Sequence, residues 1–115
     1  MVYMRNILTL LLTGLALIAL ASVPAAAAEA QELFVTQKCS LCHAVQAAGV
    51  EAKVKSEKMK GPDLSGYVAT DVDTLEAFLR KEAPLNETDH KRAYEGSREE
   101  LDQLLKWLAG LEKQN

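Results

Sequence analysis

The 115 residues carry a net charge of −3, a quarter of their side chains are charged, and only two are cysteines. That length suits one small domain. With no block of basic residues joined to aromatic stacking groups, the composition argues against a nucleic-acid partner, and its mild acidity favours encounter with basic protein surfaces.

In chain order, the first element is a leader. Arg5 and Asn6 precede an uncharged run from Ile7 to Leu20, and the stretch from Ala21 to Ala28 offers small residues that suit a signal peptidase. The reading is export to the periplasm, with residues 1–28 a signal peptide and residues 29–115 the mature domain. Cleavage after Ala25 is the other position, and Met4 is the other start. A retained membrane anchor is the alternative, because the run from Ile7 to Val23 has about the shortest length that spans a bilayer as a helix. The alanine-rich exit after Pro24 and the lack of a basic stop-transfer cluster place that alternative second. If the leader is cleaved, no permanent membrane segment remains. Its removal takes away one cation, Arg5, and no anion, so the mature chain is one unit more acidic. A domain this short has a marginal core and calls for a staple, either a disulfide or a large apolar cofactor bonded to the cysteines.

Glu29 to about Val45 reads as a helix, with Leu33, Phe34, Cys39 and Cys42 at its apolar or reactive positions. From Gln46 to Lys60 the charges imply a solvated excursion holding at most a short helix, since Gly49 interrupts it. Gly61-Pro-Asp-Leu-Ser-Gly66 has the composition of a structured loop. Thr70, Asp71 or Asp73 then caps a three-turn helix whose apolar side is Val72, Leu75, Phe78 and Leu79, ended by Pro84 at the latest. The stretch from Asn86 to Gly96 is polar and contains His90. Ser97-Arg-Glu-Glu100 fits a capping box, after which Leu101, Leu104, Leu105, Leu108 and Leu111 form a stripe at helical spacing with Trp107 on its flank. The fold class is all-α, with three to four helices and no need for a strand.

Cys39-Ser40-Leu41-Cys42-His43 carries the chemistry. Two sulfurs at i and i+3 and an imidazole at i+4 share one side of a helix. They can hold a porphyrin edge through two thioethers while His43 meets the iron axially, which is the attachment pattern of a c-type haem. A thioredoxin-like dithiol needs a preceding strand and a βαβ neighbourhood, and neither is visible. Zinc would draw on Cys39, Cys42, His43 and distant His90, at a cramped spacing for tetrahedral binding. A disulfide between Cys39 and Cys42 closes too small a ring to stabilise much. Asp63, Asp71 and Asp73 suit capping and solvation better than catalysis.

With these motifs the chain resembles the monohaem class I cytochrome c family across the mature chain. The resemblance rests on the helix entering Cys39-Ser-Leu-Cys-His43, on Gly61-Pro-Asp-Leu-Ser-Gly66 and on the capped last helix. It implies one covalent haem c, with its iron, per chain. It also implies that the carbonyl of Pro62 receives the second N–H of His43, and that Phe34 packs on the Leu104, Trp107 and Leu108 region. The sequence departs from the family in its distal loop, which has no methionine. His90 stands at about the expected place, making the iron bis-histidine. Met59 is the alternative distal ligand, placed beside Gly61-Pro62 unless the charged excursion folds across to the distal face.

A haem with both axial positions filled leaves no vacant coordination place for substrate, and no acid/base or nucleophile constellation accompanies it. The expected function is therefore a periplasmic electron carrier and not an enzyme. It would cycle Fe(III)/Fe(II) between larger redox proteins such as a dehydrogenase or a membrane oxidase. The alternatives are the haem subunit of a periplasmic dehydrogenase, a five-coordinate gas-binding haem protein, and a haem-free binding module stapled by a disulfide or zinc.

Overall fold

The computed structural model describes residues 24–112. The signal peptide expected over residues 1–28 therefore lies largely outside the described residues. Among the described residues, no helix is long and apolar enough to cross a membrane.

Among the described residues, three α-helices make the frame. Helix α1, Ala25–Thr36, begins after Pro24 in an alanine-rich stretch, where helix propensity is highest. Its buried face is Ala30 and Phe34, one turn apart. Helix α2, Val72–Leu79, is shorter than the three turns expected; Asp71 caps it by accepting from the backbone N–H groups of Asp73 and Thr74. Helix α3, Arg98–Ala109, opens on the expected capping box, with Ser97 and Glu100 each accepting the other's backbone N–H.

The first helix ends nine residues before Val45, at Thr36. Lys38 takes a left-handed backbone conformation, φ 65°, which turns the chain so that Cys39–Leu41 forms a separate 3-10 turn. A second 3-10 turn, Gln46–Ala48, is all the helix that the charged excursion contains. No strand forms among the described residues; the extended pairings are isolated bridges, Val45 with Val50 and Leu85 with Thr88.

The core joins α1 to α3. Phe34, 1% exposed, meets Trp107 edge to face with ring centres 5.9 Å apart, and Leu101, Leu104 and Leu108 complete the layer. Arg98 fastens the start of α3 to α2 through Asp73 at 2.7 Å and Glu76 at 3.2 Å. The remaining architecture is a set of loops hung on this pair, and their backbone hydrogen bonds replace a sheet as the ordering device.

One loop carries local strain. Between Leu85 and Thr88, which exchange backbone hydrogen bonds of 2.9 and 3.1 Å, Asn86 and Glu87 both have positive φ, 51° and 63°. Two successive left-handed residues mark a type I′ turn, where Asn-Gly is the favoured pair. Glu87 is therefore the unfavourable member. Glu87→Gly is expected to stabilise the protein by about 1 kcal/mol, the scale of the left-handed penalty for a side-chain-bearing residue. Urea unfolding should show a raised midpoint at unchanged slope; a lowered midpoint would contradict the turn assignment.

Candidate haem-binding site

The Cys39–His43 segment is held from outside by backbone. His43 N–H donates to the Cys39 carbonyl at 3.0 Å, closing one helical turn over the two cysteines. The following chain then returns alongside: Lys53 N–H donates to Ser40, Val54 to Leu41, Gly61 to Cys42 and Leu64 to Ala44, each at 2.8–3.0 Å. Asp63 ties this return to the 3-10 turn, accepting from Gln46 N–H, Ser65 N–H and the Ser65 hydroxyl. The Gly-Pro loop is thus a brace under the motif, and Asp63 serves the capping use expected of it.

His43 emerges from this brace with Nδ1 2.8 Å from the Pro62 carbonyl oxygen. A carbonyl only accepts, so Nδ1 carries the proton and Nε2 keeps its lone pair. Burial holds the His43 pKa below its ordinary 6.5, opposed by the Pro62 carbonyl and reinforced by nearby His90, so the ring is neutral at pH 7. Gly61 passes directly beneath the imidazole. A Cβ there would lie 2.2 Å from His43 Cε1 and 2.5 Å from Nδ1.

His90 faces His43 from the polar loop. Their ring centres are 6.3 Å apart and their planes differ by 4°. Nδ1 of His90 is hydrogen bonded to the Arg92 carbonyl, so Nδ1 is the protonated nitrogen and the neutral tautomer has its lone pair on Nε2. The loop reaches this position because Tyr94 N–H donates to Leu79 at the end of α2, and Arg80 donates to the Tyr94 and Gly96 carbonyls. Phe78 completes the setting, its ring centre 5.2 Å from that of His90 at an interplanar angle of 70°.

Both imidazoles border a cavity of ≈ 400 Å³ whose walls are apolar side chains of α2 and α3, including Leu75, Leu79, Leu101 and Leu104. Cys39 and Cys42 stand at its edge, both half-buried. Burial pushes the Cys39 thiol up to about 11, so at neutral pH it is a thiol and not the thiolate that a dithiol oxidoreductase presents. Met59 also reaches the cavity but is 43% exposed, with its sulfur 4.0 Å from Lys91 Nζ. Lys91 donates to the Lys58 carbonyl too, so the charged excursion does fold across to the His90 loop. Around the cavity the charges are mostly cationic, with Lys38, Lys60, Lys91 and Arg92 against Asp89, although the chain as a whole is acidic.

The donor set fits a haem on one direct measure. Two metal–imidazole bonds of about 2 Å, added to the distance from each ring centre to its nitrogen, separate two ring centres by about 6 Å, and the observed value is 6.3 Å. Among the described residues no three His, Cys, Asp or Glu side chains converge as a metal cluster.

An all-α chain that packs its first helix on its last, beside an apolar cleft entered by a Cys-x-x-Cys-His turn, has the small class I cytochrome c-like fold. The chain belongs to the cytochrome c family, whose sequence model matches residues 27–112. No curated protein and no solved structure matches it.

Sequence reasoning missed three contributors to this site. Phe78 reads only as one of the apolar positions of α2, and the steric role of Gly61 needs the position of His43. The Arg92 carbonyl has no signal in any side-chain pattern.

Proposed function

We propose that the protein is an exported electron carrier holding one covalent haem c through thioethers to Cys39 and Cys42, with His43 and His90 as axial ligands. The observation that carries this reading is the parallel imidazole pair across an apolar cavity, each Nδ1 occupied by a backbone carbonyl and each Nε2 left as a donor. The haem would supply a one-electron Fe(III)/Fe(II) couple. The protein's own residues would orient and enclose it: Pro62 and Arg92 fix the two imidazoles, and the leucines of α2 and α3 exclude water from the macrocycle.

Two side-chain donors leave no coordination place for a substrate, which favours transfer over turnover. Redox proteins are the partners this implies, and the cations around the cavity suit an acidic contact surface locally despite the overall acidity. Residues 1–28 supply the export signal in this reading, and the periplasm is its compartment.

Intact mass of the natively matured protein tests the attachment. The denatured chain should keep the added mass of one haem. Cys39→Ala or Cys42→Ala should reduce the yield of holoprotein severely, because a chain this short folds poorly without the group that fills its centre. Fully folded mature protein of unmodified mass would overturn the reading, including its dehydrogenase-subunit variant.

A further inference from the structure

We propose that Phe78 is a positioning residue that sets the plane of the His90 imidazole parallel to that of His43. The inference rests on the reading of both histidines as axial ligands and adds a determinant of how the second one is oriented.

An imidazole tied only at Nε2 is free to rotate about the axis through that atom, and nothing in ligation itself selects one plane. Each ring here has its own restraints. His43 is fixed by its bond to the Pro62 carbonyl and by Gly61 beneath it. His90 sits in an exposed polar loop, where a bond to Arg92, only two residues away in the same loop, orients the ring relative to that loop alone. Tyr94 and Arg80 tie the loop backbone to α2, and Phe78 is the α2 side chain whose ring packs on the His90 ring itself. Its ring lies 5.2 Å from the imidazole at 70°, within the range of an edge-to-face aromatic contact. Phe78 belongs to helix α2, which Arg98 anchors to α3 through Asp73 and Glu76. An edge-to-face partner packed at this distance restrains the His90 ring from turning freely about its donor axis. The outcome of these restraints is a 4° angle between the two imidazole planes.

That angle has an electronic consequence. Each imidazole interacts with the iron through the π orbital normal to its plane. Parallel rings act on the same iron d orbital and split it from its partner, whereas perpendicular rings leave the two nearly degenerate. Low-spin ferric iron with parallel rings gives a rhombic electron paramagnetic resonance spectrum with three resolved g values. Perpendicular rings give a single large g value and a broad remainder. Ring orientation is thus a property that second contacts tune without changing the ligands.

The test uses oxidised holoprotein at low temperature. The wild type is expected to be rhombic. Phe78→Leu keeps the site apolar and removes the ring, and should remain low-spin while its largest g value rises and its lines broaden. Phe78→Tyr, which restores the ring edge, should return the wild-type pattern. If Phe78→Leu accumulates no holoprotein, Phe78→Met carries the same comparison. A purely structural role for Phe78 would change yield or unfolding midpoint while leaving the g values alone, and that result overturns the inference. A wild-type spectrum of the perpendicular type overturns it as well. By contrast, a wild type with the near-infrared charge-transfer band of thioether ligation removes His90 from the iron, and so rejects the axial reading before Phe78 is considered.

Discussion

Gly61→Ala is expected to displace His43 and to convert the ferric haem protein from low-spin to a mixture containing high-spin iron. A Cβ at this position would approach three atoms of the imidazole to 2.2–2.8 Å, inside any tolerable contact. Neither side can yield readily. Gly61 N–H is bonded to Cys42 at 2.8 Å, the next residue is Pro62 with its φ fixed, and the His43 ring is itself tied to the Pro62 carbonyl. The requirement for glycine is therefore steric; Gly61 does not need a left-handed backbone. Overpacking of this kind costs about 1–3 kcal/mol, and the urea midpoint of the holoprotein should fall accordingly. Gly49→Ala is the control. Gly49 does have a left-handed backbone, φ 71°, but nothing lies within 4 Å of the place its methyl group would take, so this change should strain the turn and leave the visible spectrum untouched. Equal spectra for Gly61→Ala and wild type would mean that His43 has another way to reach its partner.

The elements that sequence patterning locates are those encoded by neighbours in the chain. Ser97 and Glu100 stand three apart and form the capping box together, and Leu101, Leu104 and Leu108 share the face of α3 that their spacing dictates. The contact of Phe34 with Trp107, implied by the family resemblance, is present. The end of α1 escapes the same patterning for a physical reason. The chain leaves the helix through a left-handed lysine, Lys38, where glycine or asparagine would have announced the turn. Apolar spacing therefore runs on through the cysteines although the helix does not.

The proposed site is legible in its candidate ligands and in the Pro62 carbonyl that holds His43, and illegible in most of its other supports. Cys39, Cys42 and His43 are adjacent in sequence, and His90 is reachable through its place in the distal loop. What holds them is long-range backbone hydrogen bonding: Lys53 to Ser40, Val54 to Leu41, and Tyr94 to Leu79. Such bonds use N–H and carbonyl groups that every residue but proline offers alike, so side-chain identity carries almost no trace of them. The same holds for Met59. Its sequence position puts it on the His43 side of the loop, conditional on the path of the charged excursion; Lys91 bonds across to Lys58 and brings that path near the His90 loop.

His90→Ala is expected to open the sixth coordination position, whereas Met59→Ala should leave it closed. Both residues border the cavity, so proximity alone does not choose between them. Orientation does. His90 has its Nδ1 engaged by Arg92, its ring braced by Phe78, and its plane within 4° of His43 at the separation that two metal bonds require. Met59 is 43% exposed, and its sulfur lies beside the ammonium group of Lys91. A thioether also favours the reduced metal, so the two assignments differ in potential: bis-imidazole iron should titrate lower than the same site with sulfur. Oxidised His90→Ala should therefore show a high-spin signal and, once reduced, bind carbon monoxide rapidly, while Met59→Ala keeps the low-spin spectrum of the wild type. The near-infrared magnetic circular dichroism of the three proteins makes the comparison direct, because thioether and imidazole ligation give charge-transfer bands at different energies. A wild-type low-spin spectrum retained in His90→Ala and lost in Met59→Ala would transfer the distal role to Met59 and require the excursion from Gln46 to Lys60 to swing its sulfur in front of the imidazole.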